Sequence, residues 1–151
     1  MGDWRKEAER LREWQPRHLL FLCVANSARS QLAEGIARHL APSDVKISSG
    51  GSKPSVIRPQ VIEVLSEVGI DASQQYSKGL DDIALTSVTA VITLCQEEVC
   101  PVFIRPVLQL HWGLPDPAGV QGTAEEVLAG FRAVRDELLI RLRAVFATAQ
   151  E

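Results

Sequence analysis

The chain has 151 residues, 46% of them hydrophobic and 23% charged, with a formal net charge of -3. That suits one soluble globular domain with a substantial core, and it gives no electrostatic reason to bind nucleic acid or an anionic membrane. No apolar run approaches the ~20 residues needed to span a bilayer, and the charged start MGDWRKEAERLREWQPRH lacks the apolar stretch of a secretory signal, so the expected location is cytoplasmic.

The first predicted element is a short amphipathic helix over residues 3 to 15, with Trp4, Ala8, Leu11 and Trp14 along one side and Pro16 ending it. Residues 1–17 are read as an N-terminal extension, either packed on the main domain of residues 18–151 or free of it. HLLFLCV (18–24) is a continuous apolar run, as expected for a strand covered on both faces. RSQLAEGIARHLA (29–41) places Leu32, Ile36 and Leu40 at helical spacing before Pro42. VKISSGG (45–51) reads as a second strand. Pro59 opens a helix at a favoured first-turn position, and Gly69 provides its left-handed stop, with Ile70 packing back on Leu65. VTAVITLC (88–95) and PVLQLHW (106–112) are two further strands. Thr123 and Glu126 then form a capping box for a long last helix, whose stripe runs from Val127 to Val145. Strands alternating with helices predict a parallel sheet with right-handed crossovers and helices on both faces. In such folds chemistry gathers at the carboxyl ends of the strands, where Cys23, Cys95 and HWGLPDPA fall.

CVANSARS carries the strongest signal. Cys23 ends a strand and a helix begins near Arg29, so Val24, Ala25, Asn26, Ser27 and Ala28 form a loop of small residues. Such a loop can aim several backbone N–H groups inward and hold a tetrahedral oxyanion at the helix N-terminus. Arg29 adds a planar fork for two oxygens of the same anion. The positive field favours the thiolate of Cys23, which is the nucleophilic form. Ser30 can donate to that sulfur, and the Asn26 amide can brace the loop.

This loop resembles that of the low-molecular-weight protein tyrosine phosphatases and of the arsenate reductases built on the same fold, and the resemblance runs from about residue 18 onward. It implies a three-layer sandwich around a four-stranded parallel sheet. It also implies that Asp116, followed by Pro117, is the general acid, a role that suits a poor oxide leaving group.

The other cysteines separate reductase from phosphatase. Reducing arsenate takes two electrons, and the sequence holds no GxGxxG loop or other cofactor signature, so thiols are the available donors. TLCQEEVCPV, with Cys95 and Cys100, resembles the resolving loop of the thioredoxin-coupled arsenate reductases. The resemblance implies a relay in which Cys95 attacks Cys23, Cys100 attacks Cys95, and thioredoxin reduces the product disulfide. Ala118 and Gly119 follow Asp116-Pro117, where phosphatases of this fold usually carry aromatic residues, and Gln31 follows Arg29-Ser30, where they usually carry proline. A metal site on Cys95, Cys100 and His111 lacks a fourth ligand, and His18 and His39 read as structural or solvated. Phosphate and sulfate are expected to compete with arsenate, the protein is expected to be monomeric, and a tyrosine phosphatase is the alternative. A redox-sensing anion-binding domain is a third reading; it would need neither Asp116 nor Cys100.

The chain departs from the resemblance in two places. Some members have a second cysteine in the loop, where Ala28 stands here. Several bind potassium beside the loop through residues corresponding to Asn26, Glu34 and a Thr-x-Asp pair. Here that pair reads Tyr76-Ser77-Lys78, and the expectation is that Lys78 replaces the ion, paired with Glu34 and supporting Asn26.

Overall fold

The computed structural model describes residues 3–96, 103 and 105–146. Its elements run α1 (Trp4–Trp14), β1 (His18–Cys23), α2 (Arg29–Leu40), β2 (Lys46–Gly51), α3 (Pro59–Ser66), β3 (Ala90–Thr93), β4 (Leu108–His111) and α4 (Ala124–Phe146), with short 3-10 turns at Leu80–Asp82, Leu85–Ser87 and Pro117–Gly119. The four strands form one sheet in the order β2-β1-β3-β4, and every neighbouring pair is parallel. β1 therefore lies inside the sheet, between the strand that follows it and the strand that leads to Cys95. The carboxyl end of β1 is where the chain order reverses, the usual place for a ligand crevice in an open parallel sheet.

All six residues of β1 are buried, and their alternation divides the core. Leu19 and Phe21 join the large cluster beneath the four α-helices, while Leu20 and Leu22 join a smaller cluster with Val88, Val91 and Phe103. Burying each such side chain contributes about 1.5–3 kcal/mol. The two faces are covered unequally. Helices α1 to α4 share the large cluster; the second face is roofed by the 3-10 turns around Leu80 and Leu85.

Local signals account for the helix ends. The Asp3 side chain accepts the N–H of Arg5 at 3.0 Å, and Gln15 turns left-handed (φ 53°) just before Pro16. Ala8 and Leu11 are buried against α4, and the Trp14 indole donates to the Thr89 carbonyl at 2.9 Å. Residues 3–15 are thus packed on the sheet-bearing body. Gly69 is left-handed (φ 80°), and the N–H of Ile70 returns to the Leu65 carbonyl at 3.0 Å. Thr123 and Glu126 exchange side-chain to backbone bonds at 3.1 and 3.2 Å, a complete capping box for α4.

Helix α2 departs from a simple amphipathic stripe. Every residue from Arg29 to Ala37 is buried, including Gln31 and Glu34. Buried polar side chains need partners: Gln31 bonds to Asn26 in the loop that precedes the helix, and Glu34 to Ser49, Lys78 and Arg38.

Candidate active site

The loop between β1 and α2 is held from outside by its carbonyl groups. The Val24 carbonyl accepts the N–H of Lys53 at 2.9 Å, Ala25 accepts Ser55 N–H at 3.1 Å and the Ser77 hydroxyl at 2.9 Å, and Ser27 accepts Arg58 N–H at 2.9 Å. The Asn26 carbonyl accepts from Gln31 Nε2 at 3.1 Å, and Ala28 accepts the helical N–H of Leu32 at 2.9 Å. No peptide among the described residues is cis. In a planar trans peptide the N–H points opposite the C=O, so carbonyls anchored outward turn the N–H groups of residues 25–29 inward. A loop turned this way has the backbone geometry of an anion nest. Asn26 makes the bend with φ 49°, a left-handed conformation that asparagine tolerates better than most residues.

Cys23 is buried and free, with its sulfur 2.8 Å from the Ser30 hydroxyl. Asn26 Nδ2 donates to Ser30 Oγ at 2.7 Å and to Ser49 Oγ at 2.9 Å, which uses both amide hydrogens. Its Oδ1 accepts the Lys78 N–H at 2.7 Å and Gln31 Nε2 at 2.9 Å. Ser49 in turn donates to Glu34 Oε1 at 2.6 Å. Glu34 carries two cations: Lys78 Nζ at 3.1 Å and Arg38 Nη1 at 2.8 Å. The potassium ion that the resemblance implies does not fit here. The Lys78 ammonium, itself bonded to the Tyr76 carbonyl at 2.8 Å, already stands among the oxygens that would hold it.

Arg29 is 4% exposed. Its Nη1 donates to the Leu114 carbonyl at 3.0 Å and to the Leu94 carbonyl at 3.4 Å, and Nη2 lies 3.9 Å from Asp116 Oδ2. The guanidinium therefore ties the segment after β3 and the Asp116 loop to the start of α2. Asp116 is half-exposed and caps the turn Pro117–Gly119, its Oδ1 accepting the Ala118 N–H at 3.0 Å. One carboxylate oxygen is fixed by that cap and the other is the one that lies near Arg29. Cys95 is 2% exposed and disulfide-bonded. It lies two residues beyond Thr93, which is in register with Leu22, the neighbour of Cys23. Cys100 lies outside the described residues.

Several supporting residues escape a reading of motifs. Gln31 binds the Asn26 carbonyl, the Asn26 side chain and the Tyr76 carbonyl, and is itself held by Gln75 at 2.8 Å. Ser49 and Ser77 complete the bracing. Gly51 is required by close approach: a Cβ there would sit 2.2 Å from the Val24 carbonyl oxygen. The glycines ending β2 were a visible signal for such a contact. Nothing local marked Ser49 or Gln75. His111 pairs with Thr93 Oγ1 at 2.7 Å, and His18 is buried between Ser87 and Ser48, both as structural side chains. His39 projects from the last turn of α2.

Residues 18–151 match the family described as low molecular weight phosphotyrosine protein phosphatase. An arsenate reductase of Bacillus subtilis is 41% identical over 127 residues, covering 83% of this chain and 91% of that protein. A solved arsenate reductase in a phosphate-binding state superposes with a TM-score of 0.72 at 32% identity, over 87% of this chain and 97% of the other. A thioredoxin-dependent arsenate reductase of Corynebacterium glutamicum gives 0.60 at 30% identity, over 92% of this chain and 70% of the other. With Cys23, Arg29 and Asp116 gathered at the carboxyl end of a four-stranded parallel sheet, the chain belongs to the low-molecular-weight phosphotyrosine phosphatase family and, within it, to the arsenate reductases.

Proposed function

We propose that the protein turns arsenate into arsenite by a relay of three thiols, recharged by thioredoxin. The observation that carries this reading is a free, buried Cys23 inside an anion nest, with Cys95 at the end of the adjoining strand. Arsenate sits in the nest, gripped by the N–H groups of residues 25–29 and the Arg29 fork. The Cys23 thiolate attacks arsenic while Asp116 protonates the departing oxygen, which leaves as water. The Cys95 thiolate then attacks the Cys23 sulfur. The electron pair of the sulfur–arsenic bond stays on arsenic, arsenite departs, and a Cys23–Cys95 disulfide remains. Attack by Cys100 on Cys95 frees Cys23 and leaves a Cys95–Cys100 disulfide, which an external dithiol reduces by the same exchange.

The named relatives support arsenate as substrate, and the thioredoxin-dependent neighbour supports thioredoxin as donor. That donor belongs to a reducing compartment, which favours the cytoplasm; among the described residues no helix is long and apolar enough to cross a membrane. The protein acts as a monomer in this reading, with phosphate and sulfate as competing anions and no cofactor. The test is NADPH consumption on adding arsenate in the presence of thioredoxin and thioredoxin reductase. Repeated turnover is expected. Hydrolysis of p-nitrophenyl phosphate without arsenate-dependent NADPH consumption would instead establish the phosphatase reading.

A further inference from the structure

We infer that Lys78 is a positioning residue for the Cys23 nucleophile, acting through a one-way chain of hydrogen bonds that starts at Glu34. The inference rests on Cys23 being the attacking thiol.

The direction of each bond from Glu34 as far as Ser30 is forced. Glu34 is 3% exposed and its carboxylate, paired with the Lys78 ammonium and the Arg38 guanidinium, can only accept. Ser49 must therefore donate its hydroxyl hydrogen to Glu34, which leaves its oxygen to accept from Asn26. Asn26 is oriented with its amide nitrogen towards Ser49, because its carbonyl oxygen is held by the Lys78 and Gln31 N–H groups. Its second amide hydrogen goes to Ser30 Oγ. Ser30 keeps its own hydrogen, and when Cys23 is the attacking thiolate that hydrogen goes to its sulfur, 2.8 Å away. A donor aimed at sulfur stabilises the thiolate; an acceptor would stabilise the thiol.

Lys78 grips this chain twice. Its main-chain N–H fixes the Asn26 amide, and its ammonium, on a side chain only 11% exposed, neutralises Glu34. Any residue but proline at position 78 keeps the first grip. Only a cation keeps the second. Arg38 cannot replace it, because that side chain is half in solvent and also serves the Ile47 carbonyl at 2.8 Å. The cation is thus built into the chain and needs no dissolved ion.

The experiment follows alkylation of the Cys23 peptide by iodoacetamide at neutral pH, by mass spectrometry, on reduced full-length protein. Lys78→Met and Ser30→Ala are each expected to slow alkylation about tenfold, the scale of one hydrogen bond to a charged group. In the double variant the rate should fall little further, because both changes break the same chain. Lys78→Arg should restore most of the rate. In the arsenate assay Lys78→Met should lower kcat and change KM by less than about twofold, and wild-type turnover should be equal in potassium and sodium salts. The alkylation readout needs no substrate, so it judges Lys78 whether or not arsenate is reduced. Wild-type alkylation rates in Lys78→Met would overturn the inference. So would effects of Lys78→Met and Ser30→Ala that multiply, or turnover that depends steeply on potassium.

Discussion

At one end of β1 the His18 imidazole is buried between the hydroxyls of Ser87 and Ser48, at 2.7 and 2.8 Å; at the other end the Cys23 sulfur is buried 2.8 Å from the Ser30 hydroxyl. Both are titratable side chains on one strand, and both are held by serine. At the His18 end the partners are neutral, and burial, aided by the nearby Lys46 ammonium, pushes the imidazole down to about 4, so it stays uncharged. At the Cys23 end the loop carbonyls are bonded to residues outside the loop, the Arg29 guanidinium is held by the Leu94 and Leu114 carbonyls, and Ser30 is linked through Asn26 and Ser49 to the charged Glu34. The first arrangement fills a core and the second sets a free thiol at the head of a braced loop. Burial with a hydrogen bond does not make a site. Aligned donors and a fixed cation do.

Substitutions can break that contrast in order of size. Cys23→Ser keeps the shape and removes the redox-active sulfur, so arsenate-dependent NADPH consumption should fall to background. Asp116→Asn keeps the Arg29 contact but cannot give a proton, and kcat should drop by about two to four orders of magnitude; KM for arsenate, measured in the same assay, should move far less. Gly51→Ala drives a Cβ towards the Val24 carbonyl, 2.2 Å away in the present backbone. The loop must shift, with a cost of about 1–3 kcal/mol in denaturant unfolding and a loss of arsenate turnover larger than that destabilisation accounts for. At the His18 end the expected effect is on stability alone. Between pH 6.5 and about 4 the unfolded chain takes up a proton that folded His18 refuses. Its contribution is complete above pH 6.5 and fades as the pH falls towards 4, by up to about 3 kcal/mol. His18→Gln should flatten that slope in urea titrations and leave turnover at neutral pH unchanged.

The sheet, its alternation with helices and the thiol–arginine loop were legible because each rests on local patterning: an apolar run, helical spacing, small residues before Arg29. The capping box at Thr123 and Glu126 and the stop at Gly69 were legible for the same reason. The bracing of the loop was less so. Ser49, Gln75 and Ser77 lie 23, 49 and 51 positions beyond Asn26, and only the parallel sheet and the crossing after α3 bring them to it. Lys78 stood out through its departure from a known pattern, and its ammonium lies 3.1 Å from Glu34 Oε1. The helical spacing of Leu32, Ile36 and Leu40 did not show that the polar side of α2 is buried too, because the partners of Gln31 and Glu34 come from residues 26, 49, 75, 76 and 78.

The relay is tested most directly by trapping its middle step. Reduced Cys100→Ser protein, given one equivalent of arsenate without thioredoxin, should release one equivalent of arsenite and stop. Peptide mapping should then find a Cys23–Cys95 disulfide, and the wild type treated in the same way should carry Cys95–Cys100 with Cys23 free. Arsenite release from Cys95→Ser at the wild-type rate, or a Cys100→Ser protein that turns over repeatedly with thioredoxin, would contradict the three-thiol account.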